Sequence, residues 1–526
     1  MVRKTSASLI TLALLAGACG EDSGSNAAED ESNLIQEDLL TSTSAGDSAG
    51  STAATAAPLK EPTSMEEWEA LWKKERDAAV KRIKDNKWGL QADGKTVLGP
   101  EGFKIDLSKC ASGWNNTEGL SDTEIKLGST APASGTQATG VYINQAMSVF
   151  FDYYAEKGMF KDVNGKNRKV NQIIKDDGYD AARTIPLLDE LMDSEKVFDV
   201  MVQGSPNTLK TYDKVNQKCI PMLFNSTGHP AWGDPINHPW TNGMLLAYNI
   251  EALLWGNFID DRIDEFPAGD VTVASLVMNN DFGKVYDQAF KAYLTTSPNK
   301  DRIKYVTELI EPQAATITDA MTTLASKSPN VFIGMVTGTP CAQSAIEASQ
   351  NGMNEKVKYR FMPSVCKSAT FVGKAAVGDA ANGWWIIGGG FRDVASPSED
   401  NNPYAKWARE LLTAKGYDYK ASAFYAFGLA FGWSRAQVYA VAGQLDGGLT
   451  RANMITAARS LDMTPAAYLW GIKANLDGNK DAYWIEGSEI AKYETATGTW
   501  AVQGDIIELS GKSRLCAWNQ TSSVCE

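Results

Sequence analysis

Histidine is nearly absent from this chain of 526 residues, which has only His229 and His238. The chain has seven cysteines, and none of them form a pair with metal-ligand spacing. Structural zinc sites are built from such cysteine pairs and from histidines. We therefore expect no structural zinc site and no cofactor.

Basic residues are also in the minority, since 50 Lys and Arg face 64 Asp and Glu and give a net charge of −14. Nucleic-acid binding needs clustered basic residues, so we expect no nucleic-acid partner. Carboxylates are plentiful, but no two of them stand out as a catalytic pair, and the paired-histidine zinc motif is missing. We predict that the chain is not an enzyme, with an extracellular enzyme as an alternative.

Long apolar runs are missing beyond the N-terminus, where no segment approaches the roughly twenty apolar residues of a membrane-spanning helix. The N-terminus has two basic residues and then an apolar stretch at 9–15 that is too short to span a bilayer. Small residues and Cys19 follow. This order resembles a lipobox, with Ala16 where leucine is usual. We expect 1–19 to be a lipoprotein signal peptide with the lipid on Cys19. An ordinary secretory signal is the alternative.

Aromatic residues are almost absent from 20–62, a segment rich in Ser, Ala, Thr, Gly and acidic residues. Such a composition cannot bury enough apolar surface to offset ordering entropy, so it predicts a disordered tether. Residues 63–120 are predicted to form an N-terminal helix and an extended arm. The helix begins with a capping-box pattern at Ser64, and Trp68 and Trp72 at helical spacing predict packing against the main body.

Six cysteines remain when Cys19 is assigned to lipid, and an even number in an exported protein favours disulfides. Two of them lie close together in the C-terminal tail, and two others each follow a predicted strand. Many connectivities are open to six cysteines. The pairing that these positions suggest is Cys516 with Cys525, Cys341 with Cys366, and Cys110 with Cys219.

Apolar strands alternate with helical patterns from residue 121 onward, in one block over 121–250 and another over 251–390. This alternation predicts an α/β fold of two Rossmann-like lobes, whose parallel sheets are flanked by helices. We expect 121–250 to be the first part of lobe 1 and 251–390 to be lobe 2. Residues 391–526 are expected to return to lobe 1 with later helices and a C-terminal tail. Ligands bind beyond the carboxyl ends of parallel strands, so the expected site is the cleft between the hinged lobes.

An ordered set of short motifs resembles the type I periplasmic solute-binding proteins of ABC transporters, and within them the branched-chain amino-acid (Leu/Ile/Val)-binding group. The arm, with GFKIDL at 102–107 and CASGW at 110–114, resembles actinobacterial lipoprotein members. The motifs are IKLGSTAPASG at 125–135, VQGS at 202–205, NSTG at 225–228, NDFG at 280–283, GMVTG at 334–338 and FMP at 361–363.

This resemblance implies that the loops after the strands hold the ligand. Hydroxyls and backbone N–H groups would hold a carboxylate, and an aromatic ring would cover an apolar part of the ligand. The residues that match the family's positions are Gln137 or Thr139 in the first loop, then Ser205, Thr227, Gly228, Phe282 and Thr337.

One departure from the family concerns the ligand's charge. Amino-acid binders of this group carry an acidic residue just after the strand that here leads into Ser364 and Val365, and no Asp or Glu occurs between Arg360 and Lys374. An ammonium group buried without a partner would be costly. Unless Asp281 or another acid takes that place, a carboxylic acid or an amide is as good a prediction as an amino acid.

The resemblance therefore implies an extracytoplasmic, lipid-anchored and monomeric protein. It would capture a small amino acid, amide or carboxylic acid between two lobes and deliver it to the permease of an ABC importer. A ligand-sensing domain that signals to a membrane partner is the alternative.

Overall fold

The computed structural model describes residues 60–525, so the predicted signal peptide, Cys19 and nearly all of the predicted tether lie outside the described residues. Helix α1 (Met65–Asp85) begins after Ser64, whose side chain accepts a hydrogen bond from the Glu67 N–H, as the capping-box pattern predicted. Trp68 and Trp72 are buried, and Trp72 Nε1 donates to the Thr464 carbonyl at 2.9 Å. The helix therefore packs against the main body, as predicted.

The arm after α1 is more regular than the sequence suggested. It forms a three-stranded antiparallel sheet of β1 (Gly89–Leu90), β2 (Thr96–Leu98) and β3 (Lys104–Asp106). The sequence GLQADGKT at 89–96 matches the Walker phosphate-binding pattern. That pattern binds phosphate only as a loop between a parallel strand and a helix. Here it is a β-hairpin, so it forms no phosphate-binding loop.

Lobe 1 contains a five-stranded parallel sheet in the order β5-β4-β6-β7-β8. Its strands are β4 (Glu124–Ala131), β5 (Lys169–Asp176), β6 (Asp199–Val202), β7 (Met222–Asn225) and β8 (Thr241–Gly243). The helices between them are α2 (Val141–Glu156), α3 (Ala181–Asp189), α4 (Ser205–Leu209) and α5 (Tyr212–Gln217).

Lobe 2 contains a seven-stranded sheet in the order β10-β9-β11-β12-β13-β16-β17, which is parallel from β10 to β13. Its parallel strands are β9 (Val271–Met278), β10 (Ile303–Ile310), β11 (Val331–Met335), β12 (Tyr359–Phe361) and β13 (Trp385–Gly388). The helices of this stretch are α6 (Tyr248–Asp260), α7 (Asp281–Thr296), α8 (Thr318–Ser326), α9 (Thr339–Gln350), α10 (Met353–Lys356), α11 (Ala369–Val372) and α12 (Lys374–Val377). The predicted α/β class and its two lobes are confirmed.

The C-terminal segment contributes to both lobes. Its helices are α13 (Pro403–Ala414), α14 (Phe424–Gly443) and α15 (Arg451–Ala458), and α14 packs along α2 in lobe 1. Its strands are β14 (Asp462–Met463), β15 (Ala474–Asn475), β16 (Glu489–Glu494), β17 (Thr499–Val502), β18 (Trp518–Asn519) and β19 (Val524–Cys525). Strand β16 pairs antiparallel with β13, and β17 pairs antiparallel with β16. Because both strands extend the lobe 2 sheet, residues 391–526 do not return to lobe 1 alone.

The chain crosses between the lobes three times, at 244–247, 389–391 and 485–488, and we call these three segments the hinge. The disulfides are Cys110–Cys219, Cys341–Cys366 and Cys516–Cys525, which confirms the suggested pairing. Within residues 60–525, no helix has both the length and the apolar character needed to cross a membrane.

Candidate ligand-binding site

A cavity of about 70 Å³ lies between the two lobes, beside the hinge. The loops that follow β4, β5, β6 and β7 supply its lobe 1 side, and the starts of α6 and α7 supply much of its lobe 2 side. It is lined by Pro132, Gln137, Gly140, Ile143, Tyr179, Gln203, Gly204, Ser205, Ser226, Leu245, Tyr248, Phe282, Thr337, Val365, Phe424 and Phe427. The cavity therefore lies at the carboxyl ends of the parallel strands, where the sequence placed the cleft.

Polar groups on the lobe 1 side are held by hydrogen bonds to one another. Gln203 Nε2 donates to Asn144 Oδ1 at 2.6 Å and to the Gly140 carbonyl at 3.2 Å. The Ser205 and Thr227 hydroxyls lie 2.8 Å apart and share a hydrogen bond. These contacts fix the side chains in place, so the wall is organised before a ligand enters.

Aromatic rings dominate the lobe 2 side. Tyr248 and Phe282 meet edge to face with ring centroids 5.0 Å apart, and both rings are buried. Phe424 and Phe427, from α14, add a second edge-to-face pair on the side of the hinge. Such a wall suits an apolar or aromatic part of a ligand.

The lobes touch each other across the mouth of the cavity. Gln137 Nε2 donates to the Thr337 carbonyl at 3.0 Å. The Thr136 hydroxyl donates to the Pro312 carbonyl at 2.9 Å, and the Thr339 hydroxyl donates to the Thr136 carbonyl at 3.1 Å. These bonds join lobe 1 to lobe 2, so a separation of the lobes at this mouth would break them.

The wall of the cavity is uncharged, since none of the described residues that line it is Asp, Glu, Lys or Arg. Of Ser364 and Val365, which lie where the resemblance predicts an acid, Val365 lines the cavity, and Asp281 does not. The buried Glu251 approaches from behind, where its carboxyl accepts hydrogen bonds from the Ser364 N–H at 2.7 Å and the Tyr286 hydroxyl at 2.8 Å. Burial raises the pKa of Glu251 to about 7, so this carboxyl is a poor partner for a ligand ammonium.

The structure brings four of the predicted contact residues into the cavity wall and leaves three outside. Gln137, Ser205, Phe282 and Thr337 line the cavity. Thr139 does not line it.

The other two residues support the wall from behind. Thr227 bonds to Ser205, and Gly228 packs so closely on Leu246 and Tyr248 that an added Cβ would lie 2.2 Å from the Leu246 carbonyl oxygen. Their roles in binding stay predictions.

Sequence reasoning missed several lining residues. Tyr248 begins α6 directly after the first crossing, and Phe424 and Phe427 belong to a helix that is buried on every side. No motif marked them, and only Tyr248, directly after the crossing at 244–247, lies beside a crossing in the sequence. His229 and Trp232 are buried in lobe 1 and do not line the cavity, so the aromatic stretch around them is packing.

The sequence matches the family model of the periplasmic binding proteins over residues 124–481, which is more than half of the chain. No curated protein sequence matches the chain.

Solved structures agree with this match in fold. A branched-chain amino-acid ABC transporter protein from Thermus thermophilus with bound valine has a TM-score of 0.63 at 15% identity, over 74% of this chain and 97% of that one. A fatty acid ABC transporter substrate-binding protein from Thermomonospora curvata has a TM-score of 0.61 at 16% identity, over 75% of this chain and 95% of that one. A solute-binding protein of an ABC transporter from Rhodopseudomonas palustris BisB5, in complex with 3,4-dihydroxybenzoic acid, has a TM-score of 0.59 at 15% identity, over 74% of this chain and 98% of that one. The chain belongs to the periplasmic binding protein family.

Proposed function

We propose that this protein is an extracytoplasmic solute-binding subunit that captures a small carboxylic acid or amide and delivers it to an ABC importer. The observation that carries the proposal is the cavity between the lobes, whose wall is uncharged and rich in aromatic rings. The sequence left an amino acid, an amide and a carboxylic acid open, and the uncharged wall is our reason to favour a ligand without an α-ammonium group.

The polar end of the cavity suits a carboxylate. Helix α9 begins beside it after Gly338, which gives the helix no side-chain cap, whereas the first N–H of α2, on Val141, already donates to the Pro132 carbonyl. The N–H groups of a helix's first turn, together with the helix dipole, favour an anionic group. We assign this end of the ligand to Gln137, Ser205 and Thr337, with Thr139, Thr227 and Gly228 in supporting roles.

The apolar end suits an alkyl chain or an aromatic ring, which Phe282 would cover. An amino acid would also bring an ammonium group, and burying that charge without a partner costs several kcal/mol. The proteins of similar fold are reported with valine, fatty acid or dihydroxybenzoate in their names, so the fold accepts both ligand classes. The absence of charge among the described lining residues is our reason to favour the acids.

Location and partner follow from the family and from the N-terminus. We infer that Cys19 carries a lipid, that 20–62 tethers the lobes to the outer face of the membrane, and that a monomer meets the permease there. Replacing Cys19 with serine should release the protein from the membrane fraction. Retention of the serine variant at the membrane would contradict the lipid assignment.

A thermal-shift panel of benzoate, octanoate, 3-phenylpropionate, their amides and valine tests the proposed ligand class. A solute at about a hundred times its dissociation constant should stabilise the protein by about 2.7 kcal/mol. We expect the acids or amides to raise the melting temperature and valine to have no effect. Failure of every small solute to stabilise the protein would sink the proposal.

A pair of variants at Val365 sharpens this test. Val365→Asp places a carboxylate where the amino-acid binders have one, and Val365→Asn has the same shape without the charge. We expect Val365→Asp to weaken acid binding by at least tenfold through repulsion and to gain binding of valine, and Val365→Asn to do neither. Equal behaviour of the two variants would show that charge at this position does not select the ligand.

A further inference from the structure

A carboxyl group without a basic partner lies behind the lobe 2 side of the cavity. Glu251, on α6, is fully buried. Its carboxylate accepts hydrogen bonds from the Ser364 N–H at 2.7 Å, the Ser364 hydroxyl at 3.0 Å and the Tyr286 hydroxyl at 2.8 Å. Within residues 60–525, no Lys, Arg or His forms an ion pair with it. Because a buried carboxylate without a cation is costly, packing alone does not account for an acid at this position.

Both hydrogen-bond partners of Glu251 lead to the cavity wall. Ser364 directly precedes Val365, which lines the cavity. The Tyr286 ring stacks on the ring of Tyr248, another lining residue, with the two centroids 4.7 Å apart. One carboxyl therefore supports two separate parts of the wall, which lie in the loop after β12 and at the start of α6.

The same carboxyl titrates near neutral pH. Burial raises the pKa of Glu251 to about 7, and the hydrogen bonds from Ser364 and Tyr286, which lower this pKa, do not offset the burial. The titratable groups that face it are the hydroxyls of Tyr248 and Tyr286, and burial raises the pKa of both, so both stay neutral. Within residues 60–525, no charged side chain faces it from α7, from β13 or from the loop after β12. Near pH 7, Glu251 is therefore present in both its charged and its protonated form.

An anionic ligand distinguishes between these two forms. The described residues that line the cavity carry no charge, so none of them offsets the repulsion between a ligand carboxylate and a charged Glu251. Like charges in a poorly hydrated site repel strongly, so the ligand carboxylate favours the protonated form. Protonated Glu251 can still accept from the Ser364 N–H and can donate to a neighbouring hydroxyl. The wall therefore keeps its support when the proton is bound.

We propose that Glu251 is a positioning residue of the ligand site and that its carboxyl takes up a proton from the solvent when an anionic ligand is captured. This inference rests on the proposed function, because it describes the regulation of the same site. Below about pH 7 the carboxyl already holds the proton, and above that pH the proton must be taken up on binding. The affinity for an acid should therefore fall as the pH rises above 7, whereas the affinity for the matching amide should stay the same.

Calorimetry with matched acids and amides tests the inference. The pairs are benzoate with benzamide, octanoate with octanamide, and 3-phenylpropionate with 3-phenylpropionamide. Between about pH 6 and about pH 8.5, we expect the acid that binds best to lose about tenfold in affinity and its amide to lose none. Titrations at pH 7 in buffers of different ionisation enthalpy should show that about half a proton is taken up for each acid bound.

Two variants separate the proton from the support. Glu251→Gln keeps the shape of the side chain and an oxygen for the Ser364 N–H, but it cannot titrate. It should bind the acid equally well at both pH values and without proton uptake. Glu251→Ala removes the support itself, so it should weaken the binding of acid and amide alike, and Glu251→Gln should regain much of the affinity for the amide.

Glu75→Gln is the matched control. Burial also raises the pKa of Glu75 to about 7, and its carboxyl accepts hydrogen bonds from the Thr464 N–H and hydroxyl. Glu75 lies on α1, however, which contributes no residue to the cavity wall. The control should keep the pH dependence of the natural protein.

The outcomes separate this inference from the proposed function. If acids bind equally well at both pH values, if only amides bind, or if the pH dependence survives in Glu251→Gln, the proton uptake is overturned. If Glu251→Ala binds the amide as tightly as the natural protein does, Glu251 is not a positioning residue. If no solute binds at all, the proposed function fails, and the inference fails with it.

Discussion

Thr136 offers a way to weaken ligand binding without touching the ligand. Its hydroxyl donates to the Pro312 carbonyl at 2.9 Å and thereby joins the two lobes, yet Thr136 does not line the cavity. Valine has nearly the same shape but cannot donate. The Thr136 hydroxyl also contacts Gln313 Oε1 at 3.3 Å, but it has a single proton, so Thr136→Val should lose one donated hydrogen bond between the lobes.

The size of the effect follows from that single bond. A hydrogen bond of this kind contributes about 1 kcal/mol, so the closed form should lose about that much relative to the open form. Because tight binding needs closure, the affinity should fall by about fivefold. The assay is calorimetric titration with the solute that stabilises the natural protein most.

Thr318→Val is the matched control for this substitution. The Thr318 hydroxyl donates to Glu347 Oε1 at 2.6 Å, and both residues belong to lobe 2. The control should bind as tightly as the natural protein. If Thr136→Val also binds as tightly, or if both variants lose the same affinity, the bonds between the lobes do not contribute to capture and the reasoning is refuted.

Two further predictions concern the stability of lobe 1. Arg435→Met should lower the free energy of unfolding by about 3–5 kcal/mol in urea denaturation, because the fully buried Asp199 loses its ion-pair partner. Adding Asp199→Asn should restore part of the lost stability. An unchanged urea midpoint in Arg435→Met would contradict a stabilising role for this ion pair. Burial disfavours the charged form of His238, but hydrogen bonds to Asp213 and Asp234 outweigh it and raise its pKa to about 9. The stability that His238 contributes is complete below about pH 6.5 and is lost as the pH rises through 9. His238→Gln should therefore lower the free energy of unfolding by about 2 kcal/mol at pH 6 and by little at pH 10. An equal loss at both pH values would refute the raised pKa.

The two-lobed fold could be predicted from the sequence because its parallel strands are continuous apolar runs. Strand β9 is an example, since six of the eight residues at 271–278 are apolar. Strand β8 was missed because its three residues, Thr, Asn and Gly, carry no apolar pattern. The pairing of β16 with the lobe 2 sheet depends on a long-range contact that local patterns do not encode, so the C-terminal tail was assigned to lobe 1.

The site could be predicted only where a motif follows a strand. Gln137, Ser205, Phe282 and Thr337 belong to such motifs, in the loop after the strand or at the start of the next helix, and they line the cavity. The wall formed by Leu245, Val365 and Phe427 joins residues far apart in the chain, and Phe427 lies on a helix without a polar face. Helical periodicity identifies a residue only when one face differs from the other, so this helix gave no signal.

The central claim is that the cavity selects ligands without an α-ammonium group. The most direct test is calorimetry with 3-phenylpropionate and phenylalanine, which differ only by that group. An unpaired buried ammonium costs several kcal/mol, so we predict that 3-phenylpropionate binds at least a hundredfold more tightly. Equal or tighter binding of phenylalanine would contradict the account.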